Sequence, residues 1–173
     1  MATNDISDVI PGSLSLVAAG PAHKDELCSM LEQSSMFGNL SRRRLEALAN
    51  YVRAFRAEKD TTIFIEGQLA GFMCIIIEGR LTIFKDSGTG RSKQIAEVGP
   101  GKSLGEMSMI DGLPHSATAV AIEPVTLVTL TRDDLNRILE EKPRLAAKIL
   151  WQFAQLMSQR LRRISGMFVD SLE

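Results

Sequence analysis

The sequence predicts an antiparallel, jelly-roll-like β-barrel with flanking helices and a long C-terminal helix, and three observations carry that expectation. Between Asp60 and Thr131, six short runs rich in β-branched and aliphatic residues alternate with turn-forming clusters. Parallel pairing of those runs would need helical crossovers that the intervals are too short to hold. From Arg144 onward, apolar residues recur every three or four positions, the period of one helical face.

In chain order, residues 1–23 are rich in Ser, Ala, Gly and Pro with no apolar period and read as a flexible lead. A short helix is expected from Lys24 through Leu31. A second follows Ser41, with Leu45, Leu48, Ala49 and Val52 on its buried face. The expected strands are Thr61–Ile65, Phe72–Ile77, Leu81–Phe84, Gln94–Val98, Ala117–Ile122 and Val125–Leu130. They are separated by Glu66-Gly67, Glu78-Gly79-Arg80, Asp86-Ser87-Gly88-Thr89-Gly90, Gly99-Pro100-Gly101 and Asp111-Gly112. Thr131 then reads as an N-cap, with Asp133 and Asp134 at the positive end of a helix that turns Leu135, Ile138 and Leu139 inward. Pro143 ends that helix or starts the next.

Ala146, Leu150, Phe153, Met157, Leu161, Ile164 and Phe168 form a continuous stripe on the last helix. Burying such side chains is worth roughly 1.5–3 kcal/mol each before entropy is counted, so the distal half is expected to pack on a partner. A second copy across a two-fold axis is the simplest one. Three units result: residues 1–23 as a lead, 24–142 as the barrel with its helices, and 143–173 as a dimerisation helix.

Composition narrows the function classes. The chain has 173 residues, a net charge of −1, 45% hydrophobic and 24% charged residues, which suits one folded domain and neither a disordered chain nor a supercharged nucleic-acid binder. No apolar stretch reaches the length of a membrane helix, and Asp5 and Asp8 stand where a secretory signal carries Lys or Arg, so the expected location is cytoplasmic. Cys28 and Cys74 show no metal or disulfide spacing and read as core thiols. With only His23 and His115 available and no nucleophile elbow, a hydrolase triad has no support, and no catalytic activity is expected.

The segment from Gly99 to Val120 carries the chemistry. Gly105-Glu106 followed by a short apolar run fits a turn opening into one helical turn, whose exposed N–H groups suit a phosphate, and Glu106 suits a sugar hydroxyl. Leu104-Gly105-Glu106-Met107-Ser108-Met109, a loop, then Pro114-His115-Ser116-Ala117-Thr118 resembles the phosphate-binding cassette of the cyclic nucleotide-binding domain family. That cassette reads Phe-Gly-Glu-Leu-Ala-Leu and then Pro-Arg-Ala/Ser-Ala-Thr. Met36-Phe37-Gly38-Asn39-Leu40-Ser41, Ile65-Glu66-Gly67 and Cys74-Ile-Ile-Ile-Glu-Gly79-Arg80-Leu81 are similar to its flanking motifs, so the resemblance spans about residues 28–165.

The resemblance implies a cyclic nucleotide-binding fold. It assigns Gly105, Met107 and Ser108 to the surroundings of the cyclic phosphate, Glu106 to the ribose 2′-hydroxyl, and Ser116 and Ala117 to the phosphate. The ligand it implies is cAMP or cGMP, with a cyclic dinucleotide such as cyclic di-GMP as another candidate. The family's phosphate-pairing arginine falls on His115, and losing that charge-assisted hydrogen bond of about 1.5–3 kcal/mol would weaken binding about ten- to a hundredfold. His115 then has two readings: an imidazolium that binds the phosphate as pH falls below about 7, or filler in a barrel that has lost or changed its ligand.

Arg160, Arg162 and Arg163 read as a solvated helical face from their pattern, while the resemblance puts Arg160 at the ligand. Trp151 reads as helix-to-barrel packing and Arg42, Arg43 and Arg44 as surface. DNA-binding relatives carry a helix-turn-helix after the long helix, and none follows here, so direct DNA binding is not expected. The function expected is a stand-alone sensor that signals to an unknown partner protein through its C-terminal helix. The alternative is a ligand-free, dimeric interaction module.

Overall fold

The computed structural model describes residues 10–69, 71–88 and 90–170. Strand β1 (Ser15–Ala19), a 3-10 turn (Pro21–His23), α1 (Lys24–Glu32) and α2 (Arg42–Leu48) lead into eight further strands. These are β2 (Val52–Ala57), β3 (Thr62–Phe64), β4 (Phe72–Glu78), β5 (Leu81–Asp86), β6 (Ser92–Val98), β7 (Ser103–Leu104), β8 (Thr118–Ala121) and β9 (Val125–Thr131). Helix α3 (Glu106–Asp111) sits between β7 and β8, and α4 (Arg132–Glu141) and α5 (Pro143–Asp170) close the chain. The strands form a five-stranded sheet, β1-β2-β9-β4-β7, and a four-stranded sheet, β3-β8-β5-β6. Every pairing is antiparallel, as the short intervals required.

The five-stranded sheet is buried on both faces, and β4 shows how. Met73, Ile75 and Ile77 join a core with α1, α2, α4 and α5, while Phe72, Cys74 and Ile76 join a second core between the sheets. That double burial explains why β4 is a continuous apolar run without alternation. Cys28 and Cys74 are free, buried thiols, and burial pushes both above the ordinary thiol range.

Four sequence expectations are corrected. The lead is not flexible over its second half: β1 pairs along β2 from Ser15↔Arg56 to Ala19↔Arg53, and Ile10 and Leu14 are buried between the sheets. Residues 1–9 lie outside the described residues. Val52 begins β2 and is not on the second helix, which stops at Leu48. Its strand pairs with β9 from Val52↔Leu130 to Ala57↔Val125. A helical period and a doubly buried strand start give the same apolar residue, and the partner strand decides between them.

Helix α4 buries Leu135 and Ile138 but leaves Leu139 exposed. On α5 the inward face is Leu145, Ala146, Ile149 and Phe153, with Leu156 packed against them. Trp151, Leu161, Ile164 and Met167 face outward at 61–65% exposure. The side chain of Phe168 lies outside the described set. Thr131 is the N-cap of α4, its side chain accepting from the Asp134 N–H. Arg42 is more than surface, since its guanidinium ties α2 to α1 through Asp25 and Glu32 and reaches Glu46 on its own helix. No helix among the described residues is long and apolar enough to cross a membrane.

Candidate ligand-binding site

Gly105 takes φ 89°, a left-handed conformation at the N-cap of α3. A Cβ there would stand 2.9 Å from the Phe72 carbonyl oxygen and 3.1 Å from the Phe64 ring, so close packing and backbone geometry both demand glycine. The turn it makes directs Glu106 inward, where its side chain is fully buried. The Ser103 hydroxyl donates to Oε1. Arg160, arriving from α5, donates from its two terminal nitrogens to Oε2 and Oε1 at 3.0 Å each and to the Ser103 carbonyl at 2.8 Å. A forked guanidinium on a buried carboxylate is the geometry that repays desolvation.

His115 lies opposite, 6% exposed, with its ring 4.2 Å from that of Phe64 and Nδ1 3.2 Å from the Ser108 hydroxyl. Its backbone is pinned to the β3–β4 turn: Gly67 N–H donates to the His115 carbonyl and His115 N–H to that of Gln68. The Ser116 carbonyl accepts from the Lys85 ammonium, which also binds Glu66. Lys85, and then the Asp86 N–H, hold the Glu66 carboxyl below the usual carboxylate range. These contacts fix the loop that returns from α3 to β8.

Between these groups is a cavity of about 180 Å³. Its polar wall is Gly105, Glu106, Ser108, His115, Ser116 and Arg160. Its apolar wall comes from Phe64, Ile83, Ile95, Leu104, Ala117 and Ala119, with Met107 at the rim. All eight site residues singled out in the sequence therefore line one cavity. The sequence reading missed the apolar wall and Ser103. Phe64, Ile83 and Ala119 look like ordinary inward strand positions, and nothing local marks them as facing a ligand. A wider open depression of about 300 Å³ along Arg80, Glu97, Val98, Gly99, Pro100 and Lys102 has no buried side chain and shares no residue with the cassette.

A two-sheet roll with a glycine-led turn, a buried carboxylate and a long closing helix defines a small-ligand sensor domain. The chain belongs to the cyclic nucleotide-binding domain family, whose model matches residues 54–142. A solved cyclic nucleotide-binding domain from Methylobacillus flagellatus superposes with a TM-score of 0.79 at 30% identity, covering 92% of this chain and 89% of that one. The cyclic AMP receptor protein of Thermus thermophilus is 28% identical over 76% of this chain and 59% of its own length. The regulatory domain of Toxoplasma gondii PKA, solved with cAMP, superposes with a TM-score of 0.60 at 26% identity, over 70% of this chain and 46% of that one. The chain thus spans about three fifths of the length of the bacterial receptor it matches.

Proposed function

We propose that this chain is a regulatory sensor, not an enzyme, that binds a 3′,5′-cyclic nucleotide in the cavity beneath α3. The observation that carries this reading is the valence of Glu106. A carboxylate offers about four acceptor positions. Ser103 and Arg160 take three of them, leaving one on Oε2. A 3′,5′-cyclic nucleotide has one free ribose hydroxyl, the 2′, because the 3′ oxygen is esterified. One acceptor thus meets one donor. The phosphate then faces Gly105, Ser108 and the His115–Ala117 turn, and the base the apolar wall.

The cavity is smaller than the roughly 300 Å³ at the low end of ligand clefts. A seated nucleotide therefore displaces a wall, and the wall that belongs to a separate element is α5 through Arg160. That displacement is the signal, read by a partner protein on the outer face of α5. The same face, with Leu161 and Ile164 exposed, pairs two copies.

Titration calorimetry with cAMP, cGMP and cyclic di-GMP tests the reading. One of the first two is expected to bind, with affinity about ten- to a hundredfold lower in Glu106→Gln, the worth of about 1.5–3 kcal/mol for a charge-assisted hydrogen bond. No heat with any of the three removes it. The second reading, a ligand-free interaction module, is favoured by His115 standing where the family pattern has arginine. Binding that appears only in His115→Arg supports it.

A further inference from the structure

We infer that Ser108 and His115 form a proton-coupled anion receptor, so that an anionic phosphate enters this cavity together with a proton taken up from solvent by the imidazole. The inference rests on the nucleotide reading above and adds how its phosphate is recognised.

The Ser108–His115 hydrogen bond can run in either direction. With the imidazole neutral and its proton on Nε2, Nδ1 accepts at 3.2 Å and the Ser108 hydroxyl hydrogen is spent on the ring. With the imidazole protonated, Nδ1–H donates to Ser108 Oγ, and the serine hydrogen turns free to point at an anion. One proton thus supplies both a cation and a second donor. Both side chains line the cavity and are buried, Ser108 at 7% and His115 at 6% exposure.

The surrounding charges leave that proton to the ligand. Glu106 on α3 faces Arg160 on α5, and Glu66 in the β3–β4 turn faces Lys85 on β5, so the acids near the imidazole each have their own cation. Burial against the Phe64 ring favours the neutral imidazole while the cavity is empty. A phosphate within contact reverses that preference. The two effects have opposite sign in the free and bound states, and their difference is proton uptake on binding. Affinity is full below the free-state pKa of His115 and falls as pH rises through the higher bound-state pKa.

Calorimetry of the full chain with cAMP and cGMP, in buffers of different ionisation enthalpy at about pH 7.5, counts the proton directly. Uptake of a substantial fraction of one proton is expected, with affinity falling roughly tenfold between about pH 6 and about pH 8. His115→Gln, which keeps a polar side chain of similar size, should bind more weakly with no uptake. Ser108→Ala should bind more weakly with uptake retained, a split that a merely structural contact would not produce. His115→Arg should bind more tightly and without pH dependence.

Wild-type binding with no proton uptake and no pH dependence overturns the inference while leaving the nucleotide site standing. Binding by His115→Arg alone also overturns it, because the native imidazole then fails to hold the phosphate. Silence from both the wild type and His115→Arg defeats the nucleotide reading itself, and this inference with it.

Discussion

Gly105 concentrates three requirements in one residue. Its φ of 89° sets the turn into α3, its missing Cβ lets the turn approach Phe72 and Phe64, and that approach aims Glu106 into the cavity. Gly105→Ala is expected to cost about 1–3 kcal/mol from backbone strain alone. Its Cβ at 2.9 Å from a backbone oxygen, which cannot rotate away, adds to that. Urea unfolding should therefore show a lower midpoint, and nucleotide affinity should drop further than stability alone explains, because the carboxylate is re-aimed. Unchanged affinity in a stably folded variant would mean the turn does not position Glu106. The motif Gly105-Glu106 is legible in the sequence. The pairing of Glu106 with Arg160, 54 positions away, required the fold to bring α5 back across the cassette.

At the scale of elements, α4 joins the sensor to the helix that closes it. Its N-terminus is held by Thr131, which accepts the Asp134 N–H at 3.1 Å and donates to the same residue's carboxylate at 2.8 Å. Arg53 on β2 and Arg137 on α4 bind the same buried carboxylate, tying the helix to the five-stranded sheet. Thr131→Ala should cost about 1–2 kcal/mol, seen as a lower denaturation midpoint, whereas Thr131→Ser should recover most of it. Equal losses in the two variants would show that packing of the threonine methyl is what matters. This cap is readable from Thr131-Arg132-Asp133-Asp134 alone because N-capping is local. The helix's inward face is less so: Leu139 fits the helical period but lies past the edge of the buried stripe.

For the whole molecule, α5 is the element with two duties. Its first half is cemented to the core by Leu145, Ala146, Ile149 and Phe153. Its second half, roughly 40 Å from end to end with the first at about 1.5 Å per residue, exposes Leu161, Ile164 and Met167. The double variant Leu161→Glu with Ile164→Glu should halve the mass measured by sedimentation while leaving the circular dichroism unchanged, because both side chains are already outside the core. A variant that stays dimeric would move the contact elsewhere, with the outward Trp151 the next position to change.

Local rules settle much of this protein from its residues alone. β-branched runs broken by glycine turns predict antiparallel strands, a threonine before two aspartates predicts a helix start, and a cassette of ordered residue types points to a ligand. Each of these depends on neighbours in the chain. The tertiary structure decided what depends on distant partners. Ser15–Ala19 becomes a strand because β2 offers an edge, and Val52 joins a sheet because β9 lies beside it. Arg160 leaves the solvated face its pattern suggested because a buried carboxylate has no other guanidinium within reach among the described residues. A buried charge without its counter-charge is too costly to keep, and only the folded chain can bring the two together.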